Sequence, residues 1–115
     1  PWAYQYLALL AAVGLARRGD PRSAAAALDT CRLILAATYF WSGIQKLNTS
    51  FVAEVYPWVM EPALVHLPAD TAAWAATQGW AAGGVECGLG LALLVRWLRP
   101  LAVLGVAGMH ATLLY

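Results

Sequence analysis

The sequence predicts an all-α integral membrane protein: a bundle of about four transmembrane helices with an interfacial aromatic and proline-rich segment. Three observations predict it. Of 115 residues, 62% are hydrophobic and 11% charged, where soluble domains carry about 45–50% apolar and about 25% charged residues. Four apolar stretches are helix-like in length, and the two-residue alternation of a membrane strand is absent. The arginines gather on what would be one side of an antiparallel bundle. Seven basic and six acidic residues cannot coat a 12.3 kDa fold with a mean hydropathy of +0.63, so lipid is the simplest solvent.

The same numbers exclude whole classes. A net charge of +1 offers no electrostatic footprint for nucleic acid, and the apolar content excludes disorder. Cys31 and Cys87 are far apart and form no CxxC or zinc spacing. No metal site is expected. The chain reads as one bundle over residues 1–115. It starts at Pro1 and stops inside an apolar run at Tyr115, which reads as a fragment of a longer chain, and no signal-peptide pattern opens it.

Each element has its own signal. The apolar run Trp2–Ala16 gives a helix over about 2–18, stopped by Arg17-Arg18-Gly19-Asp20-Pro21. The second helix is expected over 24–48 and the third over 71–97; both reach the roughly 20 residues that a span needs. Pro100 suits a first turn and opens the fourth, over 100–115. Between the second and third lies Asn48–Asp70, where Phe51, Tyr56 and Trp58 mix with Pro57, Pro62 and Pro68. That mixture suits a short amphipathic segment at headgroup level.

Charge orients the bundle. Antiparallel spans put Arg17, Arg18, Arg22, Arg32, Arg96 and Arg99 on one side. Lys46, Glu54, Glu61, His66 and Asp70 fall on the other. By the positive-inside rule the arginine-rich loops Arg17–Arg22 and Arg96–Arg99 are cytoplasmic, and Asn48–Asp70 faces away, as in a bacterial inner membrane.

Glu86 is the sharpest chemical feature. A carboxyl group at membrane depth faces a partner, a cavity or another subunit. Gly79, Gly83 and Gly90 share its helical stripe, and Gly84 and Gly88 repeat the small-residue spacing beside it. These five glycines are the expected helix–helix interface. Glu86 reads either as a proton or quinone site or as a carboxyl tying two helices together. His110 stands twelve residues after Leu98 and Glu86 twelve before it, so in a hairpin they reach similar depth. The two are the candidate catalytic pair, and His110 is also a candidate haem or chlorin ligand. The second helix carries Thr38, Tyr39, Ser42, Gln45 and Lys46 at spacings of three and four. Tyr39, Ser42 and Lys46 join Glu86 and His110 as candidate cofactor-binding residues. Lys46 reaches Glu86 only if the third helix enters the membrane near Gly79 rather than Thr71.

The stretch Arg32-Leu33-Ile34-Leu35-Ala36-Ala37-Thr38-Tyr39-Phe40-Trp41-Ser42-Gly43-Ile44-Gln45-Lys46-Leu47 resembles the first-helix signature of the DoxX-like membrane proteins, to which the MauE-like proteins are related in one superfamily. Gly84-Val85-Glu86-Cys87-Gly88-Leu89-Gly90, followed by Arg96 and Pro100-Leu101-Ala102, is similar to their glutamate-and-glycine helix and basic turn. The resemblance covers about Thr30 to Tyr115 and implies a four-helix membrane bundle. The chain departs from it by the helix at 2–18, the long aromatic loop and the lack of the final helix. A second, looser resemblance is to the bundle of vitamin K-dependent carboxylase-like proteins, whose catalytic residues find no match. DoxX-like members imply quinone or thiol redox, as small subunits of thiosulfate:quinone oxidoreductase. MauE proteins imply assistance in maturing a periplasmic dehydrogenase. Thiol chemistry would need a cysteine pair, which the chain lacks.

The function expected is an accessory or structural membrane subunit of a larger redox or energy-transducing complex, respiratory or photosynthetic, with no catalysis of its own. Its partners are lipid and other integral membrane subunits. The alternatives are a quinone-linked oxidoreductase subunit using Glu86 and His110 for proton exchange, and a haem- or chlorin-binding subunit through His110.

Overall fold

Among the described residues, caps and breakers divide the apolar sequence into six α-helices and one π-helical turn. The computed structural model describes residues 2–16 and 19–112. The first helix, α1 (Trp2–Gly14), stops at a glycine short of the expected 18. Gly19, at φ 81°, then takes the left-handed turn that side chains disfavour. Asp20 caps the next helix, accepting from the Arg22 amide at 3.0 Å, and Pro21 sits in its first turn, where no amide is needed. This is α2 (Pro21–Lys46), 26 residues long.

The expected interfacial segment is helical. The Asn48 carboxamide accepts from the Phe51 amide at 2.9 Å and donates to the Gln45 carbonyl at 2.6 Å. A π-helical turn, Phe51–Val55, follows, closed by the Tyr56 amide on the Phe51 carbonyl. Pro57, with no amide to donate, begins the regular helix just beyond it: α3 (Tyr56–Leu64).

The third expected helix, 71–97, is two helices: α4 (Ala69–Ala76) and α5 (Gly79–Ala92). Side chains break it. The Thr77 hydroxyl and the Gln78 amide both donate to the Trp74 carbonyl, at 2.7 and 3.2 Å. Such local bonds compete with the helical ladder. Beyond Ala92 the chain turns through residues 93–98, and α6 (Arg99–Thr112) descends from Pro100. Residues 113–115, where the fourth predicted helix ends, and Arg17 and Arg18 lie outside the described residues.

Helices α1, α2, α5 and α6 run antiparallel in sequence. Gln5 meets Thr38 and Leu9 meets Cys31, which fixes α1 against α2. Gly43 approaches Gly83 and Cys87, while Gly90 approaches Ala36 and Phe40, which fixes α2 against α5. Leu89 lies against Gly105 on α6. Arg22, Arg32, Arg96 and Arg99 therefore lie toward one end of the bundle. The π-turn closes the other end, with Val52 and Tyr56 seated on Gly79.

The α2–α5 seam is set by glycine. A Cβ at Gly90 would stand 2.7 Å from the Phe40 nitrogen and 2.8 Å from the Ala36 oxygen, so only hydrogen fits between the backbones. Ala36, Leu93 and Ala102 form the small buried core, with Tyr39, Leu89 and Ala92 against it. Large apolar side chains point outward: Trp41, Trp80, Val85, Leu91, Leu101 and Leu104 are all exposed.

Among the described residues no helix is long and apolar enough to cross a membrane. The four single-helix spans expected from the sequence are corrected on that point. Helix α2 has the length but carries Arg22, Asp29, Arg32 and Lys46. Helix α5, at 14 residues, rises about 21 Å against a hydrocarbon thickness of about 30 Å.

Candidate functional site

The chemistry gathers on the face of α2 that looks between α1 and α6. The stripe 39, 42, 46 turns with the helix and presents Tyr39, Ser42 and Lys46 to one cavity of about 350 Å³. Helix α1 supplies Gln5, Tyr6 and Leu9; α5 supplies Glu86; α6 supplies Met109 and His110. The five candidate cofactor-binding residues thus share one wall system, in which Lys46 pairs with Glu86 and Tyr39 with His110.

Lys46 and Glu86 form an ion pair. The break at Thr77–Gln78 makes this geometry: with α5 starting at Gly79, Glu86 lies two turns into the helix, level with the end of α2. The Glu86 side chain is only 9% exposed and that of Lys46 30%. The ammonium also lies 5.9 Å from the Phe51 ring centroid, a cation–π distance, so the π-turn helps close the polar end. The second Glu86 oxygen, Oε2, is buried without a hydrogen-bond partner. An unmatched buried carboxylate oxygen is costly.

His110 bonds to Tyr39 instead. The phenol oxygen and Nε2 are 2.8 Å apart, with the rings edge to face at 6.1 Å. The encounter of Glu86 with His110 raised by the sequence does not form. Depth is as expected, since Leu89 meets Gly105. The face decides: α6 turns positions 102 and 105 toward α5, and His110 falls toward α2.

Two further polar groups, Gln5 and Tyr6, went unselected in the sequence, and Thr38 was placed in the polar stripe but not among the cofactor candidates. The Gln5 carboxamide donates to the Thr38 hydroxyl at 3.0 Å, and that hydroxyl donates to the Ile34 carbonyl at 2.8 Å. Tyr6 lines the cavity beside them. Gln5 carried a signal, as the one carboxamide in the run Trp2–Ala16.

The glycines separate into two faces. A Cβ at Gly79, Gly83 or Gly90 would strike α2 or the π-turn, whereas at Gly84 or Gly88 it would meet nothing within 4 Å. Cys31 and Cys87 are free thiols, donating to the Leu9 and Phe40 carbonyls at 3.8 and 3.4 Å. Among the described residues no group of three or more His, Cys, Asp or Glu comes together to hold a metal.

Comparison with known proteins gives one family. The family model described as methylamine utilisation protein MauE matches residues 24–115, while the DoxX-like resemblance rests on the residues alone. No curated protein and no solved structure matches the chain.

Proposed function

The chain belongs to the MauE family of membrane proteins, and on that premise we propose that it is an accessory integral membrane subunit of a larger redox assembly. It has no catalysis of its own in this reading. Two features support insertion in lipid: the polar groups converge on an internal cavity, and the large aliphatic and indole side chains face outward. That is the pattern a lipid solvent selects. The helices cross as a packed group, with α4 and α5 together supplying one path. The arginine-bearing end is cytoplasmic by the positive-inside rule.

The observation that carries the accessory role is the second face of α5. Trp80, Gly84, Gly88 and Leu91 follow one stripe, all exposed, with open space over both glycines. Close approach at small residues is how membrane helices associate, and this chain uses its inner stripe for itself and leaves the outer one bare. Proton exchange between Glu86 and His110 has weaker support, because Lys46 and Tyr39 already engage them. Haem or chlorin ligation meets the same objection, since His110 Nε2 is the atom bonded to Tyr39.

The test is co-purification in mild detergent. Gly84→Leu and Gly88→Leu should release the partner subunits and leave the helical circular dichroism unchanged. Gly83→Leu, facing Leu47 and Gly43, should instead disturb the fold. Retention of partners at wild-type levels in both outer variants rejects the reading.

A further inference from the structure

We propose that the arginine-bearing end of the bundle holds the phosphate of one anionic membrane lipid on Arg32 and Arg99. The proposal rests on the membrane insertion put forward above, and not on the partner face of α5.

Packing brings the two arginines to one end. Ala36 of α2 and Ala102 of α6 share the buried cluster with Leu93. Arg32 stands one turn before Ala36, and Arg99 one turn before Ala102. Both helices begin at this end, and helical side chains lean toward the N-terminus. The two guanidinium groups therefore extend from the same small core toward the same end of the bundle. Each has its Nε sealed beneath protein atoms without an acceptor, so a ligand meets only the terminal nitrogens. Asp29 takes one of these, Arg32 Nη1, at 2.7 Å. Arg32 Nη2 and both terminal nitrogens of Arg99 are open at the surface and have no partner among the described residues. Open guanidinium N–H groups on half-buried stems suit the tetrahedral oxygens of a phosphate.

Charge calls for the anion. Arg99 lies in the first turn of α6, where the helix dipole is already positive and no acidic residue offsets it. Exposed Arg96 stands three residues before it. The chain has six acidic residues. Asp20 caps α2, Asp29 serves Arg32 and Glu86 serves Lys46. Glu54, Glu61 and Asp70 belong to the π-turn, α3 and α4, toward the other end. Among the described residues no carboxylate pairs with Arg96 or Arg99. A zwitterionic headgroup would add its own cation here, and an anionic one would not.

The rim selects a lipid over a soluble phosphate. Leu35 lies one turn deeper than Arg32, Val103 lies one turn deeper than Arg99, and both are exposed. Trp97, two residues before Arg99, is exposed as well. Acyl chains cover aliphatic side chains, and an indole sits at headgroup level. Basic pockets between membrane helices on the cytoplasmic side take lipid headgroups in this way. A soluble phosphate gains nothing from such neighbours.

The experiment is native mass spectrometry of the full-length protein in mild detergent. The probes are dioctanoyl phosphatidylglycerol, phosphatidylcholine with the same chains, and sn-glycerol 3-phosphate. Phosphatidylglycerol should fill one saturable site at least about tenfold more tightly than either other probe. Arg99→Gln and Arg32→Gln should each weaken it about tenfold or more. Arg22→Gln removes the same charge ten residues before Arg32, about 15 Å along the helix and past a screening length of about 8 Å. It should leave binding within about twofold. Circular dichroism checks each fold, and should Arg99→Gln not fold, Arg32→Gln and the wild-type comparison decide. Equal binding of the two lipids, glycerol phosphate bound as tightly as phosphatidylglycerol, or a loss in Arg22→Gln matching that in Arg99→Gln would each overturn the proposal. Cloud-point extraction reads the premise separately. Wild-type protein in the detergent-poor phase rejects membrane insertion and the site with it, whereas protein in the detergent phase without the lipid preference rejects the site alone.

Discussion

Replacing Gly90 by alanine tests the architecture most directly, because the atoms it would strike are backbone. The added Cβ would lie 2.7 Å from the Phe40 nitrogen, 2.8 Å from the Ala36 oxygen and 3.1 Å from the Phe40 Cα. No rotamer change relieves those contacts, so α2 and α5 must separate. Overpacking a tight interior costs about 1–3 kcal/mol, and a main-chain collision belongs at the upper end, about 3 kcal/mol. Alanine returns about 1 kcal/mol in helix propensity, leaving a net loss of about 2 kcal/mol. Gly84→Ala, six residues earlier in the same helix, meets nothing within 4 Å and should gain about 1 kcal/mol. One chemical change thus has opposite signs on two faces, separated by about 3 kcal/mol, or about a hundredfold in the unfolding equilibrium. Denaturant titration in micelles, followed by circular dichroism, measures both. If Gly90→Ala is as stable as the wild type, or if the two variants move together, the close α2–α5 seam is wrong.

Two other outcomes follow from the polar groups. Lys46→Met leaves Glu86 buried beside no cation and should cost about 3 kcal/mol, while Lys46→Met with Glu86→Leu should recover most of that loss; a double-mutant cycle in the same denaturant assay reads the coupling, and independent effects would show that the pair contributes nothing. Burial holds the Tyr56 phenol above its ordinary 10.0. A group raised on folding keeps its full contribution below the unfolded value and loses it as pH climbs toward the folded one. Unfolding profiles above pH 10 should therefore fall more steeply for wild type than for Tyr56→Phe, and identical alkaline slopes would refute the assignment.

Much of the bundle was legible because periodicity survives in lipid. The stripe through Tyr39, Ser42 and Lys46 follows the helical repeat, and it does look onto one cavity. The stop at Gly19-Asp20-Pro21 was equally plain. Local side-chain bonding was less visible. Nothing in hydropathy marks Thr77 and Gln78 as the place where one apolar run becomes two helices, yet that break decides whether Lys46 reaches Glu86. The π-turn at 51–55 was hidden in the same way, since Asn48 and Pro57 signal a cap and a helix start but not the extra residue between them. Helix rotation was legible only in part. The helical stripe of Glu86 set 79, 83 and 90 apart from 84 and 88 in the sequence, but only the neighbour each one meets shows that the first group packs inward and the second does not. His110 repeats the lesson, its depth following from counting and its partner depending on a rotation that the sequence leaves open.

The seam at Gly90 also limits how this chain can vary over time. When a side chain in an ordinary core grows, a shrinking neighbour can compensate, and the two positions drift together. Opposite Gly90 stand the Phe40 nitrogen and Cα and the Ala36 carbonyl, groups common to every residue, which no codon change can trim. Position 90 therefore has no second-site suppressor on α2 and must stay fixed by itself, while the outward stripe of the same helix is free to wander.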